Sequence, residues 1–321
     1  MTESAYPLLL AVCLLFPYQR YFMIPANTNK RRSIKELKEF VCYVFPAALL
    51  ITVFVSIPFL MCIYNSFRKW NGISKTTKFI GLKNYRKLFT DDPTFLHALG
   101  FTFLYAVCVV VIINITALLL AVLLESNIKG KGFFRAAFYI PNIISLVVIG
   151  FIWKFICIRV FDQLAVVTND SFWQQSWLGD PNLAVVTTIF VSVWQGLGFY
   201  LIIYIAGLQS VPGELMEAAR IDGAGTFRRF FSVTLPMIMP SISFCMFYSV
   251  ANSMKMFELI FSLTGGGPGV ATTPIALDIY NTAFNNNNFG YGSAKSVVLF
   301  IIVCTISVIQ VRFFKSREIE A

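Results

Sequence analysis

Side chains that commonly carry catalysis or hold metal ions are scarce in this sequence, and none shows a spacing that would bring several together. The one histidine, His97, has no cysteine, serine or carboxylate pattern to make it catalytic. The seven cysteines stand singly in apolar stretches, without the paired spacing that predicts a disulfide framework or a metal site. They are Cys13, Cys42, Cys62, Cys108, Cys157, Cys245 and Cys304. We therefore expect no catalytic residue and no cofactor in this chain.

The richest polar cluster lies inside an apolar run in the C-terminal third of the chain. Its members are Tyr248, Ser249, Asn252, Ser253, Lys255 and Glu258, and the preceding apolar run adds Trp194, Gln195, Tyr200 and Tyr204. On one continuous helix, positions 248, 252, 255 and 259 share a face. Polar side chains are costly in lipid and usually face a cavity or another helix. The pattern favours either a substrate pathway or ordinary interhelical hydrogen bonding, with the rings as packing or interface anchors.

Lys255 is the unusual member of this cluster, because a lysine in such a run either pairs with a carboxylate or awaits an anion. Glu258 stands three residues further on, where an intrahelical ion pair can form. The other interpretation makes Lys255 the counter-charge of an acidic saccharide, a sugar phosphate or a glycerophosphodiester. The residues alone leave both interpretations open.

A polar island, Leu208–Pro240, separates the two apolar runs that carry these residues. Pro212 is placed to open a short helix, and Glu214 and Glu217 put negative charge in its first turns, where the helix dipole favours it. Gly223 is a natural place for that helix to end. The residues therefore predict a capped interfacial helix between two membrane spans.

The composition is that of a membrane protein. Hydrophobic residues make up 57% of the chain, charged residues 13%, and the mean hydropathy is +0.71. A soluble domain carries about twice that charged fraction, ~25%. The net charge of +10 does not indicate nucleic-acid binding, because the basic residues lie in loops between apolar runs. Contact with anionic lipid headgroups explains them.

Six apolar runs have about the ~20 residues that are needed to cross ~30 Å of hydrocarbon. They cover approximately Val41–Tyr64, Phe101–Leu124, Ala136–Ile156, Leu183–Leu208, Pro236–Leu263 and Ser296–Phe314. The basic segment at residues 30–39 should stay in the cytoplasm, and six spans then return the C-terminal tail to the same side. The predicted fold class is an all-α polytopic membrane protein with six core helices.

The expected organisation has three parts. Residues 1–40 hold a short apolar segment and a basic tail, residues 41–314 form the transmembrane domain, and residues 315–321 form a cytoplasmic tail. The apolar run at 5–18 is too short for a comfortable span. It lies in the interface, forms a marginal extra helix, or precedes a true start at Met23. Within the domain we expect external loops at 66–99 and 264–295 and a cytoplasmic loop at 209–235.

The loop at 66–99 is basic, although the positive-inside rule would place such a loop in the cytoplasm. Its cations are Arg68, Lys69, Lys75, Lys78, Lys83, Arg86 and Lys87. Four other basic segments all fall on the cytoplasmic side if this loop is external. We therefore expect the loop to be external, where it could serve an acidic partner or simply be solvated.

Three residue strings resemble a known transporter family. Glu217-Ala218-Ala219, Gly223 and the later Val233-x-Leu235-Pro236 resemble the EAA loop of ABC importer permeases, and the full string EAARIDGAGTFRRFFSVTLPMIMP is similar to its carbohydrate-uptake branch. FIGLKNYRKLFTD (residues 79–91) and TGGGPGVATTPIALDIYNTAFNNNNFGYGSAKSVVLF (264–300) resemble external loops of the larger, maltose-type sugar permease. The resemblance covers nearly all of the chain from about residue 40.

The resemblance implies the type I ABC importer permease fold and a location in the bacterial cytoplasmic membrane. It implies that the short helix docks into a cytoplasmic ATPase subunit, through Glu214, Glu217, Ala218, Ala219, Arg220, Asp222 and Gly223. It further implies a second, homologous permease, two ATPase subunits that bind ATP and Mg²⁺, and an external solute-binding protein. The polar cluster of the fifth span would line the pathway of an oligosaccharide, and Lys255 would allow this saccharide to be acidic.

The residues are compared with what other functions would require. A sugar phosphate or glycerol phosphate ester is the alternative substrate within the same family. An ion-coupled secondary transporter would need intramembrane carboxylates or broken helices in paired halves, and Glu258 is the only carboxylate clearly inside the predicted spans. A membrane enzyme has no acidic pair or zinc spacing to support it. Neither of these two classes explains the EAA string.

Overall fold

The computed structural model describes residues 42–126 and 129–315. The elements in chain order are α1 (Cys42–Ser66), β1 (Arg68–Lys69), β2 (Lys78–Phe79), α2 (Lys83–Thr90), α3 (Pro93–Glu125), α4 (Lys131–Ile143), α5 (Leu146–Thr168), α6 (Pro181–Gln209), α7 (Gly213–Ile221), α8 (Thr226–Met237), α9 (Met239–Ser253), α10 (Glu258–Leu263), α11 (Ile275–Tyr280) and α12 (Phe289–Lys315). The expected N-terminal segments at 5–18 and 30–39, and most of the tail at 315–321, lie outside the described residues.

Four helices, α1, α3, α6 and α12, are each long and apolar enough to cross a membrane. Two further pairs, α4 with α5 and α8 with α9, meet that test together, which gives six spans if each bent pair counts as one. The predicted count of six is therefore confirmed in that form. Four of the six predicted runs correspond to single helices, of which α3 and α12 begin several residues earlier than predicted.

The third predicted span, Ala136–Ile156, is wrong as a single helix, because α4 and α5 meet at 96°. The bend falls at Ile144 and Ser145, whose ψ angles of 137° are extended. Pro141 stands just before it. A proline lacks the N–H of the helical ladder and crowds the preceding turn, so α4 ends soon after it.

The fifth predicted span, Pro236–Leu263, is also wrong as a single helix. Helices α8 and α9 meet at 69° beside Ile238, whose φ and ψ are −89° and 8°. Helix α9 ends at Ser253, and α10 begins only at Glu258. Positions 255 and 259 consequently do not share a helical face with 248 and 252, and the predicted four-residue stripe is shortened to Tyr248 and Asn252.

The chain divides into two compact units. The first contains the described residues up to Lys87 together with Thr282–Val308, and the second contains Leu88–Asn281 with the end of α12.

In the second unit the core lies between α3 and α6. Small residues of α3, Ala117 and Ala121, are fully buried against Leu201 and Tyr204 of α6. Gly198 lets α6 approach α4 closely, because a Cβ there would lie 2.6 Å from Tyr139 Cα and would overlap the carbonyl oxygen of Phe138.

In the first unit a two-stranded hairpin, β1–β2, is fixed to the start of α12. The Gly290 N–H donates to Trp70 O at 3.0 Å. The buried Asn84 amide donates to Ser66 O at 2.8 Å, to Arg68 O at 3.0 Å and to Gly290 O at 3.5 Å. The loops after α1 and before α12 are therefore joined at one end of the helices.

Candidate functional site

The short helix α7 begins and ends where its sequence predicts. It begins at Gly213, directly after Pro212, and Glu214 is the acidic residue of its first turn. At its end the Gly223 N–H donates to Arg220 O at 3.1 Å and the Ala224 N–H donates to Ala219 O at 3.0 Å. With Gly223 at φ +75°, these two bonds form a Schellman cap. The prediction that Gly223 ends the helix is confirmed.

The outward face of α7 is exposed to solvent in the part of the chain that the structure describes. Helix α7 has no buried residue, and Ile221 is 86% exposed. Ala218 and Glu217 are exposed on the same side. On the inward side Met216 is half-buried, and its Sδ accepts from Thr234 Oγ1 at 3.7 Å. A helix whose apolar and small residues face outward in this way has a surface suited to a protein partner.

A cavity of about 940 Å³ lies behind α7, among the ends of α3, α6 and α8. Its lining includes Leu118 and Leu119 of α3, Met216 and Arg220 of α7, and Phe230 of α8. Open volume therefore lies behind part of α7.

A polar cluster that the sequence analysis missed joins the neighbouring helix ends. Glu125 Oε2 at the end of α3 accepts from Arg135 Nη2 at 3.1 Å and from Gln209 Nε2 at 3.2 Å, while Lys131 Nζ donates to Glu125 O at 3.1 Å. This cluster links α3, α4 and α6 at the end of the bundle that holds α7. A carboxylate closing an apolar span before a basic loop was the signal that could have identified it.

The polar residues of α9 separate into two groups. Ser249 and Ser253 are buried, whereas Tyr248 is 37% exposed and Asn252 is exposed. Ser249 and Ser253 therefore lie on the buried face of α9, and Tyr248 and Asn252 lie on its accessible face.

The buried group centres on Asn114 of α3, which the sequence analysis did not single out. The Tyr204 hydroxyl donates to Asn114 Oδ1 at 2.7 Å, and Asn114 Nδ2 donates to Ser249 Oγ at 3.0 Å and to Val110 O at 2.8 Å. Ser249 and Tyr204 are thus engaged in interhelical hydrogen bonds. An amide in the middle of an apolar run was the signal for this site.

The accessible group is aromatic. The Tyr248 ring stacks on Phe244 with centroids 5.9 Å apart and 7° between the planes, and Phe199 lies 4.8 Å away. Tyr200 is buried beside Tyr248 at 6.2 Å. In the neighbouring part of α6, Trp194 is partly exposed against Trp153 at 5.5 Å, and Gln195 is half-buried.

Lys255 and Glu258 stand on opposite sides of the break between α9 and α10. Lys255 is half-buried and Glu258 is exposed. Their charges are near enough to interact, but among the residues that the structure describes no ion pair within 4 Å involves either of them. The break in the helix removes the i, i+3 geometry that an intrahelical pair would need.

Comparison with known proteins agrees with this arrangement. Residues 113–319 match the family described as binding-protein-dependent transport system inner membrane component. The probable starch degradation products transport system permease protein AmyD of Thermoanaerobacterium thermosulfurigenes is 41% identical over 278 residues, which cover 87% of this chain and 94% of that protein. The sn-glycerol-3-phosphate transport system permease protein UgpA of Agrobacterium fabrum is 30% identical over 277 residues, covering 85% and 94%.

Among solved structures, a chain of a bacterial alginate ABC transporter in complex with an alginate-bound periplasmic protein shares the fold with a TM-score of 0.74. The two are 19% identical, and the match covers 87% of this chain and 94% of that one. The relatives are permease subunits of ABC transporters, in which separate subunits hydrolyse ATP, so the chain is not an enzyme. It belongs to the family of binding-protein-dependent transport system inner membrane components, the membrane-spanning permeases of ABC importers.

Proposed function

We propose that this chain forms half of the translocation pathway of an ATP-driven oligosaccharide importer. The observation that carries the proposal is the exposed, Schellman-capped helix α7 in a chain that is 41% identical, over most of its length, to a permease named for starch degradation products. A second permease and two ATPase subunits complete the assembly, because one such loop serves one ATPase subunit.

Helix α7 couples ATP hydrolysis to movement of the spans. Ala218 is exposed and allows close approach of the ATPase surface, while Glu214, Glu217 and Asp222 fix the register of the docked helix. Ala219 is half-buried and Arg220 lines the cavity behind α7, so these two residues support the helix from its inner side. Gly223 closes the helix so that it moves as one body. When the ATPase subunits approach each other, α7 is displaced, and α8 transmits this displacement through its bend to α9.

Tyr248 and Asn252 contact the passing sugar on the accessible face of α9. Stacked aromatic rings such as Tyr248 and Phe244 present apolar faces that match the C–H faces of a pyranose, and the Asn252 amide can both donate to and accept from hydroxyls. Trp194 and Gln195 of α6 extend the same region, and the buried Tyr200 packs beside Tyr248. Ser249 and Tyr204, which bond to Asn114, hold the helices that present these groups, and Ser253 is buried in the same helix as Ser249.

The division between the two groups predicts different effects of matched substitutions. Asn252→Ala is expected to lower uptake several-fold without changing the thermal midpoint, because its side chain is exposed. Ser249→Ala is expected to lower stability by about 0.6 kcal/mol, the typical value of an interhelical hydrogen bond in a membrane, while uptake per folded molecule is retained. Uptake into proteoliposomes and thermal unfolding of the purified complex measure the two effects. Equal behaviour of the two variants would contradict the assignment of Asn252 to the pathway.

Lys255 is available as a counter-charge for an acidic saccharide, because it has no ion-pair partner among the described residues. We expect binding protein loaded with a uronate oligosaccharide to stimulate ATP hydrolysis by the reconstituted complex. Lys255→Ala should abolish this stimulation and leave any response to neutral sugars unchanged. The measurement is the ATPase rate with each loaded binding protein.

Stimulation by neutral oligosaccharides alone would remove Lys255 from substrate recognition and leave the importer function intact. A response only to glycerol phosphate esters would favour the second candidate substrate, for which the similarity to UgpA is the supporting observation.

A further inference from the structure

A polar cavity in the first unit is not part of the pathway described above. It measures about 490 Å³ and lies between the β1–β2 hairpin and the loop before α12. Its chemically distinctive lining residues are Lys69, Trp70, Lys78, Asn286, Asn287 and Asn288, and Asn71 with the serine and threonine residues of the hairpin completes it. The volume is within the range of small-molecule sites in proteins, ~300–1,000 Å³.

The positive charges of Lys69 and Lys78 lie side by side, and no described carboxylate neutralises them. Lys69 and Lys78 are direct cross-strand partners in the antiparallel pair. Like charges in this position destabilise a hairpin. Neither lysine has a carboxylate within 4 Å among residues 42–126 and 129–315. An anion in the cavity would relieve this repulsion.

The hairpin is held firmly enough to keep such a site in shape. The Asn84 amide ties Ser66 and Arg68 to Gly290, and the Trp70 indole N–H donates to Ser74 O at 2.9 Å. The Trp70 ring also packs on Phe289, with centroids 5.8 Å apart. Gly290 is required for this docking, since a Cβ there would lie 3.1 Å from Trp70 N and overlap Arg68 O.

We infer that this cavity binds an acidic saccharide at the entrance of the transporter, with the carboxylates on the lysine pair and the hydroxyls on the asparagine amides. An indole, three consecutive amides and several hydroxyls supply the ring face and the hydrogen bonds that a sugar needs, and the lysines select for a uronate. The inference rests on the proposed function. The loop at 66–99, which contains the hairpin, is expected to be external from the sequence, and that is the side where substrate arrives.

The test is equilibrium binding of fluorescently labelled trigalacturonate to the assembled transporter in nanodiscs, without binding protein and at low salt. We expect binding by the native complex, with maltotriose a poor competitor. Lys69→Ala/Lys78→Ala should weaken the affinity by about tenfold or more, since charge-assisted hydrogen bonds are the strong ones. Lys75→Ala is the matched control, because Lys75 is an exposed cation of the same hairpin that does not line the cavity. Asn286→Asp should also weaken trigalacturonate binding, by adding a negative charge to the lining.

No trigalacturonate binding by the native complex, or equal affinity in the double variant and in Lys75→Ala, would overturn the inference. So would a double variant that binds the sugar normally and loses only its affinity for the binding protein, because the lysines would then serve protein docking. Uptake with the binding protein present is measured in parallel. If the native complex imports oligosaccharide while the cavity binds none, the proposed function stands without the inference, and if it imports none, the proposed function itself has failed.

Discussion

Gly198→Ala is expected to destabilise the membrane domain strongly. The added Cβ would lie 2.6 Å from Tyr139 Cα and overlap the Phe138 carbonyl oxygen, and both are backbone atoms that cannot rotate away. Overpacking in a core costs about 1–3 kcal/mol, occasionally more, and a backbone collision belongs to the upper end of that range. The expected result is a thermal midpoint lowered by several degrees and a large loss of monodisperse protein on size exclusion.

Gly100→Ala is the matched control for this substitution. Gly100 also lies within a long apolar helix, α3, but a Cβ there meets no atom within 4 Å. Since alanine is favoured over glycine in a helix interior by about 1 kcal/mol, this variant should be as stable as the native chain or more so. If Gly198→Ala and Gly100→Ala gave the same thermal midpoint, the close crossing of α4 and α6 would not contribute to stability.

Ala218→Leu is expected to uncouple the permease from its ATPase subunits without affecting its own fold. Ala218 is exposed on α7, and leucine has nearly the helix propensity of alanine, so the chain alone should be unaffected. In the docked complex the larger side chain would occupy space that the ATPase surface fills. An overpacking penalty of about 1–3 kcal/mol corresponds to a roughly 5- to 150-fold weaker association. ATP-dependent uptake should fall accordingly.

The comparison for Ala218→Leu is Ala136→Leu, the same exchange at an exposed alanine of α4. Co-purification of the ATPase subunits with each variant, followed by uptake in proteoliposomes, separates weak association from faulty transmission. Normal co-purification and uptake by Ala218→Leu would exclude this face of α7 from the docking surface, and the coupling contact would have to be sought on the side of Phe227, which is 82% exposed.

The features that could be predicted from the sequence are those with local causes. The limits of α7 follow from Pro212 and Gly223, because a proline and a left-handed glycine determine backbone geometry regardless of the surrounding fold. Four spans follow from apolar length alone. The coupling assignment of α7 depended on the residue string, since the spacing by itself predicts only a capped interfacial helix.

The features that escaped prediction depend on tertiary contacts. Ser249 and Tyr248 are neighbours in sequence, yet only packing against Asn114 decides which of them is buried. The gap between Ser253 and Glu258 has no proline or glycine within it. It interrupts the predicted helical face, and it removes the helical geometry for an ion pair between Lys255 and Glu258, one of the two interpretations that the sequence left open. The role of Asn114 required knowing that α3, α6 and α9 meet around it.

The hydrogen bonds of Asn114 also set an order for biosynthesis. The Tyr204 hydroxyl that satisfies its Oδ1 is 90 residues later in the chain, and Ser249 is 135 residues later. At a synthesis rate of about 5–20 residues per second, α3 waits roughly 5–20 seconds for Tyr204 with its amide oxygen unpaired. During that interval the unpaired amide makes partitioning of the nascent α3 into lipid less favourable. Release of α3 from the insertion machinery should therefore be delayed until α6 has emerged.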